Sequence, residues 1–383
     1  MQTFDYLIVG AGFAGLTLAE RICTQLGKRC LVAEKRNHLG GNAYDYYDRQ
    51  GVLLHAYGPH YFRTNSDEVR EYLSQFTEWH AVDYKILSYT RDRFWSFPVN
   101  LKTFEEYLGR ASTSEEMESW LKLECVQYER PKNSEELMLS RVGPKFYHLF
   151  FEGYTRKQWR REPRDLDASV CGRIPVRTNR DDRYLNERFQ ALPAKGYTAI
   201  FEAMVRAAGP RLEVILNTDY RALMHQVRFD HMIYTGPLDE YFGCDEGPLP
   251  YRSLRFEYES LPAEKLADRE SIAGKRGFWQ PAMQVNYPNE EEFTRIVEIK
   301  HATGQICEGT TIVREYPADY LPGRDAYYPV PTPEAQQLAE KYRRRAARES
   351  AVTFLGRLAN YRYFNMDQVV ALALAEFRKL KNC

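Results

Sequence analysis

The chain has 383 residues, more than one hydrophobic core organises comfortably, so two or three domains are expected. Lys plus Arg and Asp plus Glu balance at 53 each, which argues against a generic nucleic-acid binder. No apolar run approaches the roughly eighteen residues of a membrane span, and the start Met1-Gln2-Thr3-Phe4-Asp5 lacks the regions of a signal peptide.

In chain order, the first element is a short buried strand, Leu7-Ile8-Val9, which runs into Gly10-Ala11-Gly12-Phe13-Ala14-Gly15 and a helix from Leu16 to Gln25. A second strand, Cys30-Leu31-Val32-Ala33, ends on Glu34. That order is the one a dinucleotide fold requires. Gly10 permits the tight turn, Gly12 lets backbone approach a pyrophosphate, and Gly15 lets the helix pack on the strand. The helix start offers unpaired N–H groups to phosphate, and Glu34 is spaced to accept from ribose hydroxyls. Lys35, Arg36, Gly40-Gly41 and Asn42 follow; a basic residue before a glycine pair resembles the second glycine motif of FAD enzymes, with Arg36 facing a phosphate. Taken alone, that pair also reads as an ordinary turn.

The next stretch, from about Ser66 to Asp167, is rich in helix formers, with helix starts at Ser112-Thr113-Ser114-Glu115-Glu116 and Ser134-Glu135-Glu136. From Arg173 to Phe189 the text is polar, arginine-rich and aperiodic; a helix is expected from Thr198 to Ala208. Strand-like runs follow at 212–216 and 231–235, the second ending at Gly236-Pro237 like the turn that returns to the cofactor in FAD enzymes. Alternation over 253–258, 282–287 and 311–316 predicts a separate antiparallel sheet. A helical run from Pro333 to Ser350 carries Arg343-Arg344-Arg345 on a solvated face. The end returns to the first theme, with strand 351–355, Gly356-Arg357 and a helix from Met366. Pieces of one cofactor domain are therefore spread along the chain.

The seven cysteines form no Cys-x-x-Cys pair, which points to reduced thiols in a cytoplasmic setting and to no zinc site. No Gly-x-Ser-x-Gly elbow and no metal-spaced cluster occurs either. Arginines and aromatics recur instead, at Tyr154-Thr155-Arg156-Lys157-Gln158-Trp159, Arg173-Ile174-Pro175-Val176-Arg177, Thr294-Arg295, Tyr327-Tyr328 and Tyr361-Arg362-Tyr363. Guanidinium forks and phenols suit a diphosphate, and flat rings suit a nucleobase. Taken singly, each of these residues reads as well as core or surface.

Together, Gly-Tyr-Thr-x-Lys-Gln-Trp at 153–159, Arg-Ile-Pro-Val-Arg at 173–177, His-Ala-Tyr-Gly-Pro-His at 55–60 and Gly-Arg-Leu-Ala-x-Tyr-x-Tyr at 356–363 resemble the bacterial UDP-galactopyranose mutases. The similarity runs to Met366-Asp367-Gln368-Val369. It implies an α/β fold: a discontinuous FAD-binding Rossmann-like domain (1–75, 194–243 and 345–383), a helical domain with a substrate lid (76–170), and an antiparallel sheet domain (171–193 and 244–344), in a homodimer. It also implies a flavin-dependent isomerase of cell-surface polysaccharide synthesis. Such an enzyme interconverts UDP-galactopyranose and UDP-galactofuranose through a reduced-flavin N5–sugar adduct, without net redox change, and depends on a cellular reductant.

Carried across, the resemblance puts Arg173 and Arg295 on the diphosphate with the hydroxyls of Tyr184, Tyr328 and Tyr363. Tyr154, Trp159 and Phe151 border the uridine, with Phe150 as an equally possible wall and Asn286 near the base; Thr155 and Tyr84 also belong to the expected substrate set. His60 sits against the isoalloxazine, Arg357 contacts the flavin and its phosphates, and Asn365 lies near the sugar. Phe13, Ala14, Gly356 and the segment Met366-Asp367-Gln368-Val369 complete the cofactor set. Three positions depart from the family: Arg63 replaces a histidine close to flavin and sugar, Arg160 a glycine, and Tyr84 other polar residues. Arg63 is expected to reach a sugar acceptor such as a 2-acetamido carbonyl, or to stabilise anionic flavin, so UDP-N-acetylgalactosamine or another nucleotide sugar stays open. Two competing classes remain: a redox flavoenzyme of the amine oxidase type, which shares the amino-terminal motifs but not the Arg/Tyr constellation, and a non-catalytic nucleotide-sugar or flavin-binding protein, which the joint presence of two sites disfavours.

Overall fold

The computed structural model describes residues 2–321 and 324–382; Met1, Pro322, Gly323 and Cys383, the last a cysteine counted above, lie outside the described residues. The fold is mixed α/β, with a Rossmann-like dinucleotide-binding domain. Its parallel sheet runs in the order Leu212–Ile215, Cys30–Ala33, Tyr6–Val9, His231–Tyr234, Val352–Phe354. These strands are apolar runs because both faces are covered; Leu7, Ile8, Leu31, Val32 and Ile233 are fully buried. Strand order reverses between Tyr6–Val9 and His231–Tyr234, and ligands bind in the crevice beyond the carboxyl ends of strands at such a reversal.

Three helices lock this sheet. Phe13–Arg21 packs on Met366–Asn382 and on Tyr197–Ala208. The carboxy-terminal helix buries Val370, Ala373, Leu374 and Phe377, a spacing that puts one apolar stripe on one face. Asp45 accepts from the N–H groups of Tyr197 (2.6 Å) and Thr198 (2.8 Å), so a carboxylate caps the positive end of the middle helix. Phe201 of that helix lies under Gly40 and against Phe13, 4.6 Å between ring centroids, and thereby supports both glycine turns.

A second, seven-stranded sheet runs Tyr328–Pro329, Tyr251–Leu261, Thr310–Asp319, Arg295–Val297, Gln284–Asn286, Ile86–Thr90, Arg93–Phe97. All pairs are antiparallel except Gln284–Asn286 with Ile86–Thr90. The three alternating segments read from sequence all lie in it. The hairpin 86–97 lies there too, although the sequence reading gave it to the helical segment. Ile86, Ser88 and Thr90 alternate inward with period two, a short signal overwritten by the helix formers around it. Phe189–Pro193 likewise pairs with Phe62–Thr64 and Trp79–Ala81 in a separate three-stranded sheet, not with the substrate sheet to which 171–193 was expected to belong.

The helices Leu101–Leu108, Ser114–Glu124, Ser134–Phe146 and Glu152–Trp159 start on Asn100, Thr113, Asn133 and Phe151; the first three carry side-chain caps, which fixes where they begin. At Gly143, with φ +70, the chain breaks direction before Pro144. That bend turns Phe150 and Phe151 against Trp95 and Phe97 of the hairpin and seats the helical cluster on the edge of the large sheet. Among the described residues, no helix is long and apolar enough to cross a membrane.

Candidate active site

The crevice at the strand-order reversal is a cleft of about 1350 Å³, its open mouth included. It is lined by Gly10, Gly12, Phe13, Ala14, Glu34, Lys35, Arg36, Gly41, Asn42, His60, Gly236, Gly356, Arg357, Met366 and Val369, as the sequence reading expected. Both glycine turns close its floor: a Cβ on Gly41 would stand 3.3 Å from the Cα of Gly12. Helix Phe13–Arg21 begins without a side-chain cap and without an acid in its first turn, so its leading N–H groups are left for an anion. The Glu34 carboxylate accepts from the N–H groups of Ala11 (2.8 Å) and Arg36 (2.9 Å) and keeps lone pairs for further donors. These features fit a dinucleotide with its pyrophosphate on the helix start.

Three expected cofactor residues lie elsewhere. Gly15 does not line the cleft; a Cβ there would fall 2.0 Å from Gly10 O, so its role is the close approach of helix to turn. Gln368 accepts the Asn365 N–H at 2.9 Å at the start of the last helix, and neither it nor Asp367 beside it lines the cleft. Arg36 lines the cleft, but its guanidinium pairs with Asp325, donates to Asn42 Oδ1 (2.9 Å) and stacks 4.2 Å over Tyr57. The sequence reading missed Thr218, Asp219, Tyr220, Arg221, Glu240, Arg324 and Asp325. The first four follow strand Leu212–Ile215, and its place in a parallel sheet was the signal that could have found them.

A second cavity of about 720 Å³ lies between the helical cluster and the large sheet. The walls bring together Phe150, Phe151, Tyr154, Thr155, Trp159, Arg173, Tyr184, Asn286, Arg295, Tyr328 and Tyr363, eleven of the thirteen expected substrate residues. Gln158, Cys171, Phe97, Val170 and Ile174 complete it and were not expected. Tyr84 is not among them: it is 1% exposed, its hydroxyl donates to Ala191 O at 2.8 Å, and its ring packs 4.3 Å from Tyr61. It is a core residue with a satisfied phenol.

The charges in this cavity are held rigidly. Arg295 pairs with the buried Glu315 at 2.7 Å, while its Nε is buried with no partner among the described residues. Burial opposes the Arg295 charge, but Glu315 and the neighbouring phenols raise its pKa well above the usual value. Arg173 and Arg357 lie on Tyr363, each 5.0 Å from the ring centroid. Since Arg173 lines the second cavity and Arg357 the cleft, Tyr363 is the partition between them. Burial would raise the Tyr363 phenol; Arg173, Arg357 and Arg63 outweigh it and bring it down to about 8.

His60 faces the cleft near this partition. Burial, with His55, Arg357 and Arg295 nearby, pushes its pKa down to about 3, so the ring is neutral. Its Nδ1 lies 2.8 Å from Gly58 O, an acceptor, which puts the proton on Nδ1 and leaves Nε2 as a lone pair. Arg63, expected at the sugar, is instead tied down: its Nε is 2.9 Å from Glu187 and its Nη2 donates to Asn365 Oδ1 at 3.2 Å. Its charge is offset by Glu187, which the sequence reading did not anticipate. Neither Arg63 nor Asn365 lines either cavity.

A family model described as UDP-galactopyranose mutase matches residues 149–363, and one described as an NAD(P)-binding Rossmann-like domain matches residues 8–76. The probable UDP-galactopyranose mutase of Klebsiella pneumoniae is 33% identical over 380 residues, covering 98% of this chain and 94% of its own. The dTDP-fucopyranose mutase of Escherichia coli is 30% identical over 375 residues, covering 96% of each. A crystal structure of reduced UDP-galactopyranose mutase has the same fold, with a TM-score of 0.74 at 18% identity over 99% of this chain and 96% of that one. The chain belongs to the UDP-galactopyranose mutase family and is an isomerase of that kind.

Proposed function

We propose that the protein is an FAD-dependent mutase that interconverts the pyranose and furanose forms of a nucleotide sugar, with UDP-galactose as the first substrate to consider. The observation that carries this reading is the partition: a dinucleotide cleft and a cavity lined by two arginines meet at Tyr363, between Arg357 and Arg173. Bound and reduced, FAD would supply the nucleophile for the anomeric carbon.

The protein's own residues then bind and orient. Arg173 and Arg295 hold the diphosphate while it is detached from the sugar, and the hydroxyls of Tyr184, Tyr328 and Tyr363 donate to it. Burial raises the Tyr328 phenol to about 12, so it remains a donor through the physiological range. The orphaned Arg295 Nε, costly to leave unpaired, gains a phosphate oxygen on binding. Phe150, Phe151, Tyr154 and Trp159 form the apolar end for the base. Neutral His60 offers a lone pair beside the cofactor without adding charge.

The relatives act on different sugars and nucleotides by name, UDP-galactopyranose and dTDP-fucopyranose, so the test is a panel. Dithionite-reduced protein is incubated with UDP-galactopyranose, UDP-N-acetylgalactosamine and dTDP-fucopyranose, and furanose product is scored by chromatography. Furanose from UDP-galactose as the best substrate is the expected result. Furanose from none of the three would overturn the reading. Preference for the acetamido sugar would reassign the substrate and restore a role in sugar choice to the Arg63 region.

A further inference from the structure

Two walls of the substrate cavity come from different elements. Helix Glu152–Trp159 and the segment before it supply Phe150, Phe151, Tyr154 and Trp159; strands Gln284–Asn286 and Arg295–Val297 supply Asn286 and Arg295. Asn286 and Arg295 are partners in register across their strand pair, and the turn that joins the two strands lies against the helix. A Cβ on Gly153 would stand 2.5 Å from Pro288 O and from Asn289 Oδ1, and Asn289 Nδ2 donates to Leu149 O at 3.1 Å. About one helical turn past Gly153, Lys157 enters the mouth of the same turn. Its Nζ donates to Glu291 O (2.8 Å), to Phe293 O (3.1 Å) and to Tyr287 O. Tyr287 directly follows Asn286 and Phe293 precedes Arg295 by two residues, so one cation gathers both limbs of the turn. An ammonium has three donors, so these carbonyls saturate Lys157 and leave it none for a ligand. Arg295 stays with the sheet, because Glu315 on the neighbouring strand holds it at 2.7 Å. Beyond Lys157 the helix end has a longer bond, Arg252 Nε to Gln158 O at 3.3 Å, and the exposed pair Arg160–Asp319, which contributes little.

We propose that Lys157 is a positioning residue for the mutase reaction: its ammonium, seated in three carbonyls of the turn, fixes the distance between the helix wall and the arginine-bearing sheet wall. This rests on the nucleotide reading given above. A nucleoside diphosphate touches both walls and gains from their fixed spacing, as a ligand of two linked sites does. Pyrophosphate occupies the arginine end alone and does not sense that spacing. Lys157 itself does not line the cavity, so it acts through the walls. A planar guanidinium would keep the charge but could not aim its donors at three converging carbonyls.

The test measures the Kd of UDP and of pyrophosphate by calorimetry on the flavin-loaded protein, for wild type, Lys157→Met and Lys157→Arg, with flavin content read from absorbance. UDP is expected to weaken about tenfold or more in both variants, and pyrophosphate to change less than about threefold, because only the first ligand loses a fixed second contact. Turnover of UDP-galactopyranose by the reduced variants is expected to fall by up to about a hundredfold, the effect of a misplacement of about 1 Å. Flavin content is expected to stay at the wild-type level, and a variant that keeps it carries the comparison. Equal weakening of both ligands in Lys157→Met, with Lys157→Arg like wild type, would mean that the lysine acts by charge alone and would overturn the proposal. Unchanged UDP binding in both variants would overturn it too, as would loss of flavin from both, which would make Lys157 a residue of the fold at large. Wild type that binds pyrophosphate but not UDP would overturn the nucleotide reading as well.

Discussion

At the scale of single residues, the site is a balance of charges around Tyr363. The phenol, brought down to about 8 by Arg173, Arg357 and Arg63 against the effect of burial, loses its proton as pH rises through that value. At the proposed diphosphate site it then no longer donates to a phosphate oxygen and places a negative charge beside that group. UDP affinity is expected to fall above pH 8, and Tyr363→Phe is expected to remove that limb of the profile. Stability moves the other way. A phenol lowered in the folded state from about 10 stabilises the fold increasingly between pH 8 and the unfolded value, so weaker binding there does not reflect unfolding. Arg295→Ala is expected to weaken UDP binding by about 1.5–3 kcal/mol, the worth of a charged hydrogen bond, as calorimetry would register. Near-wild-type binding and turnover would remove Arg295 from the diphosphate site.

The same scale shows where sequence reading ends. Arg173, Arg295, Tyr328 and Tyr363 were named because separated motifs together resemble one family, since each taken singly reads as well as core or surface; all four line one cavity. Tyr84 and Arg63 were misjudged because their partners, Ala191 O and Glu187, are far along the chain and have no local signature.

Among elements, the glycine turn and its helix are the most legible part of the chain, because Gly10 and Gly15 answer a steric demand that only glycine meets. Gly10 has φ +101, and Gly15 leaves no space for a Cβ. Gly15→Ala is expected to cost about 1–3 kcal/mol, as overpacking does, and to reduce flavin content, read as a lower urea midpoint and lost absorbance near 450 nm in the purified protein. Retention of both would mean that the helix approaches its strand less closely than described. The hairpin 86–97 and the strand Phe189–Pro193 were the least legible elements. Each is short and is held by a partner distant in sequence: Gln284–Asn286 for the first, Phe62–Thr64 and Trp79–Ala81 for the second. Tertiary pairing outweighs local preference in such strands.

For the whole molecule, acid stability follows from two histidines between the cleft and the large sheet. Burial pushes both His55 and His60 down to about 3, and His55 Nδ1 accepts the His60 N–H at 3.0 Å, which requires a neutral His55 ring. Both are lowered in the folded state, so their contribution is complete above the unfolded value near 6.5 and is lost as pH falls from there toward 3. Each removes up to about 1.4 kcal/mol per pH unit across that window. A urea midpoint falling between pH 7 and pH 5, with a shallower fall in His55→Asn, is expected. A midpoint unchanged over that range would mean that the histidines are solvated.

The central claim is that the dinucleotide cleft and the arginine cavity act on one substrate across the Tyr363 partition, with the cofactor taking part in bond exchange and not in net electron transfer. Most directly, the flavin-loaded protein is mixed with UDP-galactopyranose under anaerobic conditions, once oxidised and once chemically reduced, and product and flavin absorbance are followed together. Furanose formed only by the reduced protein, with its flavin still reduced at the end, is the expected result. Equal turnover by the oxidised protein, or flavin reoxidation in proportion to product, would contradict it.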